Sequence, residues 1–118
     1  MAYVDGFVMP IPKTKIASYR RMAAKAGKIW RKYGALDYKE CVGDDLETKM
    51  GKSFKSIART KRGETVVFSY IVYRSKAHRN SVNKKVMKDP FMTNFDPKDM
   101  PVDMRRMAYG GFKVVVDA

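Results

Sequence analysis

The stretch Glu64–Pro90, ETVVFSYIVYRSKAHRNSVNKKVMKDP, constrains the fold of this chain more than any other. Within it, Val66–Tyr73 is a run of β-branched and aromatic residues broken only by Ser69. Val66, Phe68, Tyr70 and Val72 fall on one parity, and Val67, Ile71 and Tyr73 on the other. A strand with one wet face alternates apolar with charged residues, so a strand apolar on both parities must be covered on both faces. Ser75 follows, placed to cap a helix by accepting from a first-turn amide. The helix continues to about Lys88, and Pro90 stops it.

The wheel of that helix puts Val82, Val86 and Met87 on one arc, with Arg79 and Asn83 inside it and His78 on its border. An unpaired polar group on a packing face costs about 1–3 kcal/mol. Arg79 and Asn83 therefore either tie the helix to a carbonyl or carboxylate, or line a cavity.

The partners of this unit follow from the rest of the chain. Ala2–Met9 reads as a strand with an unusual acid, Asp5, and with Gly6 marking a bulge or a close backbone approach. Lys13–Tyr33 is the clearest helix. Its stripe runs from Ile16 and Tyr19 to Trp30 and Tyr33, and Gly34 is placed as its C-terminal cap. Leu36–Val42 is an edge-like strand carrying Cys41, and Gly43–Lys52 is a polar loop. Ser53–Thr60 is a short further strand candidate that turns at Gly63 into Val66–Tyr73. Phe91–Val102, with two prolines, reads as a linker. Arg105–Val116 is the last strand, which Gly110–Gly111 should break as a bulge or backbone crossing would.

That order is an α+β, ferredoxin-like (βαβ-βαβ) antiparallel sheet, in one domain over residues 1–118, with two helices on one face. Two helices cover one face only, and the other is still apolar. An identical sheet is the simplest cover, so a homodimer through the sheet faces is expected.

The net charge of +13 suits nucleic acid, an anionic surface or acidic ligands. Lys13–Tyr33 holds eight Lys or Arg and no acid, and Lys49–Arg62 holds six more with no acid. Both runs also suit the solvated sides of covering elements. No apolar run approaches the ~20 residues of a membrane span. No secretory signal is visible and Cys41 is the single cysteine, so a cytoplasmic location, with no membrane partner, is expected. With a single histidine, no metal site and no cofactor are expected.

YVDGFV, SYRRMAAKAG, GALDYKECV, ETVVFSYIVYRSKAHR, VNKKVMKDP, and the Met-Pro pair followed by RRMAYGGF resemble, in order and spacing, the YbaA-like family of unknown function. That family is of the dimeric α+β barrel type. The resemblance covers nearly the whole chain. It implies a ferredoxin-like fold and a dimer, and no established reaction. After the Met-Pro pair the family reads F-D-G-K-R-M, where this chain has Val102-Asp103-Met104-Arg105-Arg106-Met107. The superfamily holds cofactor-independent enzymes and ligand binders, with a cavity between sheet and helices. By that analogy the cavity should be lined by Asp5, Trp30, Tyr70, Arg79, Asn83, Arg106 and Tyr109, with His78 at its rim. His78 or Asp5 would move a proton, and Arg79 or Asn83 would stabilise an oxyanion. A small-molecule ligand is the first expectation. The alternative is non-specific RNA or other nucleic-acid binding through the basic helix faces.

Overall fold

The computed structural model of the chain describes residues 1–118. Four strands, β1 (Tyr3–Pro12), β2 (Asp37–Val42), β3 (Glu64–Tyr73) and β4 (Ala108–Lys113), form one sheet in the order β2-β3-β1-β4. Every neighbouring pair is antiparallel. Four helices accompany them: α1 (Ile16–Lys32), α2 (Phe54–Ala58), α3 (Lys76–Lys88) and α4 (Pro90–Thr93). Each long crossover therefore skips a strand: α1 joins β1 to β2 with β3 between them, and α3 leads from β3 towards β4 with β1 between them.

Odd-numbered residues of the central strands face α1 and α3. Met9, Ile11 and Val67 pack with Tyr19 and Ala23 of α1, and Ile71 and Tyr73 pack with Val82 and Val86 of α3. α1 ends where expected. Gly34 takes φ 115°, its N–H donates to the Arg31 carbonyl, and the Ala35 N–H reaches back to Trp30, a pairing that satisfies the last carbonyls. Ser75 caps α3 by accepting from the His78 N–H at 3.1 Å.

Three expectations are corrected. Ser53–Thr60 is not a strand. Phe54, Ile57 and Ala58 stand at helical spacing, Ser53 accepts from the Ser56 N–H, and Arg59 closes the turn with φ 53°. This short helix, α2, lies on the face opposite α1 and α3. There Phe54 meets the edge of Phe68, and Val66 is buried. Gly110–Gly111 does not break β4: Gly110 pairs with Gly6 and Gly111 with Asp5 in an unbroken register. Gly111 is small because a Cβ there would collide with the Tyr3 side chain. Nor is the segment from Phe91 to Val102 a plain linker. It begins within α4 and then becomes a strap over the sheet, delivering Met100 and Val102 to the core.

The result is a slab of 38 × 38 × 19 Å. Beyond α2, its outer sheet face shows Phe68, Tyr70, Val72 and Phe112 to solvent. No helix is long and apolar enough to cross a membrane.

Candidate functional site

A cavity of about 450 Å³ lies between the sheet and its helices. The sheet supplies its floor with Asp5, Phe7, Ser69, Ile71 and Tyr109; α1 adds Met22 and Trp30, and α3 adds Arg79, Asn83 and Met87. α4 and the strap close it with Phe91, Met92, Met100, Met104 and Met107. Counting Met9, seven of the nine methionines of the chain line this one space. Thioether side chains adapt to irregular apolar guests, so the roof is compliant.

The polar floor is ordered. Arg79 reaches from α3 across to β1 and donates through Nη1 to Asp5 Oδ1 at 2.9 Å. Its guanidinium also lies 4.9 Å from the centroid of the Tyr3 ring. Asn83 Oδ1 accepts from Trp30 Nε1 at 3.1 Å and from the Tyr73 hydroxyl at 3.2 Å. An indole N–H can only donate, so these bonds fix which way the Asn83 amide points. Its nitrogen is left with two protons and no protein acceptor. Ser69, 5 % exposed, also makes no side-chain bond to protein, yet no buried side-chain polar atom is unsatisfied. The Ser69 hydroxyl and the Asn83 amide nitrogen are therefore accessible, and both residues line the cavity.

Beside them, Glu40 of β2 accepts from Tyr19 at 2.6 Å on one oxygen and from Tyr38 at 2.8 Å on the other. Burial, then the charge of Glu40 and these hydrogen bonds, hold both phenols well above their ordinary range. Burial likewise raises Tyr73, and the charge of Asp5 adds to the effect. The phenols are proton donors at any neutral pH. What the arrangement can do is grip an oxygen: amide, guanidinium and hydroxyl donors stand at one end of an apolar chamber, beside a carboxylate.

The residues singled out from sequence divide as follows. Asp5, Trp30, Arg79, Asn83 and Tyr109 all line the cavity. Tyr70 does not, because it has the parity of the outer face and sits beside Phe68. Arg106 does not either. Its guanidinium grips Glu64 at 2.7 and 2.9 Å and the Arg59 carbonyl at 2.9 Å, clasping the strap to the start of β3. His78 lies at the first turn of α3, where Nδ1 accepts from the Arg74 N–H at 3.0 Å and the ring meets Tyr73 edge-on. Burial, with Arg74 and Lys85 nearby, lowers its pKa, so it stands as a neutral turn residue outside the cavity. Glu40 and Ser69 were not singled out from sequence. For Glu40 the signal was an acid sharing a parity with Tyr38 and Val42; for Ser69, a lone hydroxyl in an apolar strand. Met104, where the family pattern has glycine, sits in a 3-10 turn capped by Asp103, and Val102 is buried in the core.

The family described as protein of unknown function (DUF1428) matches residues 2–104. Uncharacterized protein YbaA of Escherichia coli strain K12 is 43% identical over 117 residues, covering 99% of each chain. The relative of the same name from Shigella flexneri matches to the same extent. Among solved structures, an uncharacterized NIPSNAP domain protein from Burkholderia xenovorans superposes with a TM-score of 0.58 over 98% of this chain and 97% of its own, at 14% identity. That likeness shows a shared α+β fold.

Proposed function

We propose that this chain, which belongs to the DUF1428 family, is a small-molecule-binding protein whose ligand fills the cavity between sheet and helices. The protomer is read as ferredoxin-like and its dimer as an α+β barrel. One observation carries the ligand reading: an apolar chamber of about 450 Å³ with fixed donors left unspent at its floor. Pockets of this size and make-up suit compact organic molecules. The matching ligand has a flat or flexible apolar body and one oxygen end. The body packs among methionine and aromatic side chains, and the oxygen accepts from Asn83 Nδ2 and the Arg79 guanidinium. The cavity already holds Asp5 and Glu40 against one guanidinium, so a carbonyl or hydroxyl fits the floor better than a third carboxylate. The same groups would serve cofactor-independent proton transfer, with Asp5 taking the proton and Asn83 and Arg79 holding the oxyanion.

The dimer is supported by surface area. The protomer exposes 8474 Å², whereas a compact monomer of its 13.5 kDa exposes about 6,500 Å². That excess exceeds the roughly 800 Å² per partner of a standard interface. Pairing two 19 Å slabs through their outer faces would give a body of about 38 Å in every direction. The test is native mass spectrometry of gently purified protein, followed by titration of an apolar ketone such as 2-tetralone against Trp30 fluorescence. A dimer whose Trp30 emission changes saturably supports the reading. A dimer that carries no adduct and gives no saturable response refutes the ligand reading, and a monomer refutes the dimer.

A further inference from the structure

Strand register sets the floor of the chamber as a grid of side chains. Glu40 of β2 stands opposite Ser69 of β3, Ser69 opposite Phe7 of β1, and Phe7 opposite Tyr109 of β4. These residues make one row across the whole sheet, and all of them line the chamber. Along β3, the neighbours of Ser69 on the same face are Val67 and Ile71, both buried. Ser69 is therefore a small side chain framed on every side by larger ones, and the floor dips there. The Ser69 hydroxyl, bonded to no protein group, lies at the bottom of the dent.

Phe7 shows how a guest would stand in that dent. Its ring is stacked with that of Tyr109, within 15° of parallel and with centroids 6.1 Å apart. Tyr109 thus flanks Phe7 on the β4 side. On the β3 side Ser69 is too short to reach across the ring. Phe7 and Glu40 are two strand spacings apart, about 10 Å, and a ring seen edge-on fills about 3.5 Å. A flat ring standing over Ser69 therefore fits between them, in the same attitude as Phe7 and Tyr109.

We propose that the chamber selects flat, conjugated ring ketones, held on edge over Ser69 with one face against Phe7. This rests on the ligand reading of the cavity and narrows its ligand class. The stacked pair of Tyr109 and Phe7 becomes a row of three rings, an arrangement that aromatic faces favour beyond the area they bury. The Ser69 hydroxyl meets the edge of the ring. It can donate to an oxygen there or accept from an N–H or O–H, so a second polar atom on that edge is accommodated in either sense. A saturated ring of the same skeleton is puckered. It touches Phe7 through a few hydrogens and forfeits the contact of face on face. The short side chain at Ser69, the free hydroxyl and the uncovered side of Phe7 then have one common explanation.

Two ketones with one carbon skeleton give the test: 1-indanone, which is flat, and octahydro-1-indanone, which is puckered. Dissociation constants are measured by isothermal titration calorimetry on the unaltered protein and on Ser69→Ala, Ser69→Val and Phe7→Leu. The unaltered protein should bind 1-indanone about tenfold tighter than its saturated analogue, the size of one aromatic face contact. Ser69→Ala keeps the dent, so it should weaken binding and keep that preference. Ser69→Val fills the dent and should abolish the preference. Phe7→Leu removes the ring face and should abolish it too, which decides the matter if Ser69→Val does not fold. Equal affinity of the unaltered protein for the two ketones, or a preference that survives Phe7→Leu, overturns the flat-ring site and leaves the ligand reading standing. Binding of neither ketone also overturns the site, and the ligand reading falls with it only if 2-tetralone fails to bind as well.

Discussion

Asn83 has one acceptor oxygen, and two elements depend on it: the indole of α1 and the phenol of β3 both donate there. Asn83→Leu strands two donors at about 1–3 kcal/mol each, so stability in urea denaturation should fall by about 2–6 kcal/mol. Ser69 offers the contrast. Its hydroxyl bonds to no protein group, so Ser69→Ala should leave the denaturation midpoint in place while weakening any cavity ligand measured by Trp30 fluorescence. Arg79 falls on the structural side. Arg79→Ala leaves Asp5, 6 % exposed, without its cation. The expected loss is about 3 kcal/mol, and pairing the change with Asp5→Asn should restore part of it. Arg79 and Asn83 could be read from the sequence because a polar residue on an apolar arc must have a reason. Glu40 was only half legible: its bond to Tyr38 lies within its own strand parity, but its other partner, Tyr19, is 21 positions away. Arg106 was misplaced for the same cause: the carboxylate it grips is 42 residues distant. Tyr70 failed differently. Its parity was plain, but which parity faces the helices is decided only by the register with β1.

At the scale of elements, α1 meets β2 through the absence of a side chain at Gly27. Replacing a helical glycine by alanine should gain about 1 kcal/mol from propensity. Here the new methyl would press on the Tyr38 ring and disturb its bond to Glu40. Overpacking of this kind costs about 1–3 kcal/mol, so Gly27→Ala should lower the melting temperature. A rise would mean that α1 shifts without resistance. The strap depends on a different device. Hydrogen bonds from Arg106, then from the Lys61 N–H, hold the Glu64 carboxyl down to about 2 from its usual 4.5. A depressed carboxylate stabilises the fold above its unfolded value and loses that contribution as pH falls through the folded one. The clasp should therefore weaken between about pH 4.5 and 2. Amide exchange over residues 97–107 should accelerate in that window, and Glu64→Gln should flatten the dependence. The main elements were legible because Lys13–Tyr33 and Val66–Tyr73 are long and strongly patterned. α2 was missed because its eight-residue surroundings fit both a strand and one helical turn, and only the caps at Ser53 and Arg59 decide.

At the scale of the whole molecule, the outer sheet face is the surface proposed to meet a second copy. Phe68 and Phe112 lie on it at 42% and 61% exposure. If the proposed dimer forms through this face, Phe68→Lys with Phe112→Lys should convert it to a monomer, seen as a halved mass in sedimentation, while far-ultraviolet dichroism stays unchanged. An intact dimer would place its contact elsewhere. The expectation of a partner came from the two apolar parities of β3; the cover that α2 gives to part of one of them was not legible there. The methionine lining has a consequence of a different kind. A thioether gains one oxygen from peroxide and becomes a polar sulfoxide. Seven such groups surround one chamber, and Met87 and Met104 are 53% and 44% exposed. The chamber is thus a surface whose wettability depends on the redox history of the protein. Under oxidative stress it would turn from oily to water-loving and release the apolar guest proposed for it, and reductases of methionine sulfoxide would reset it.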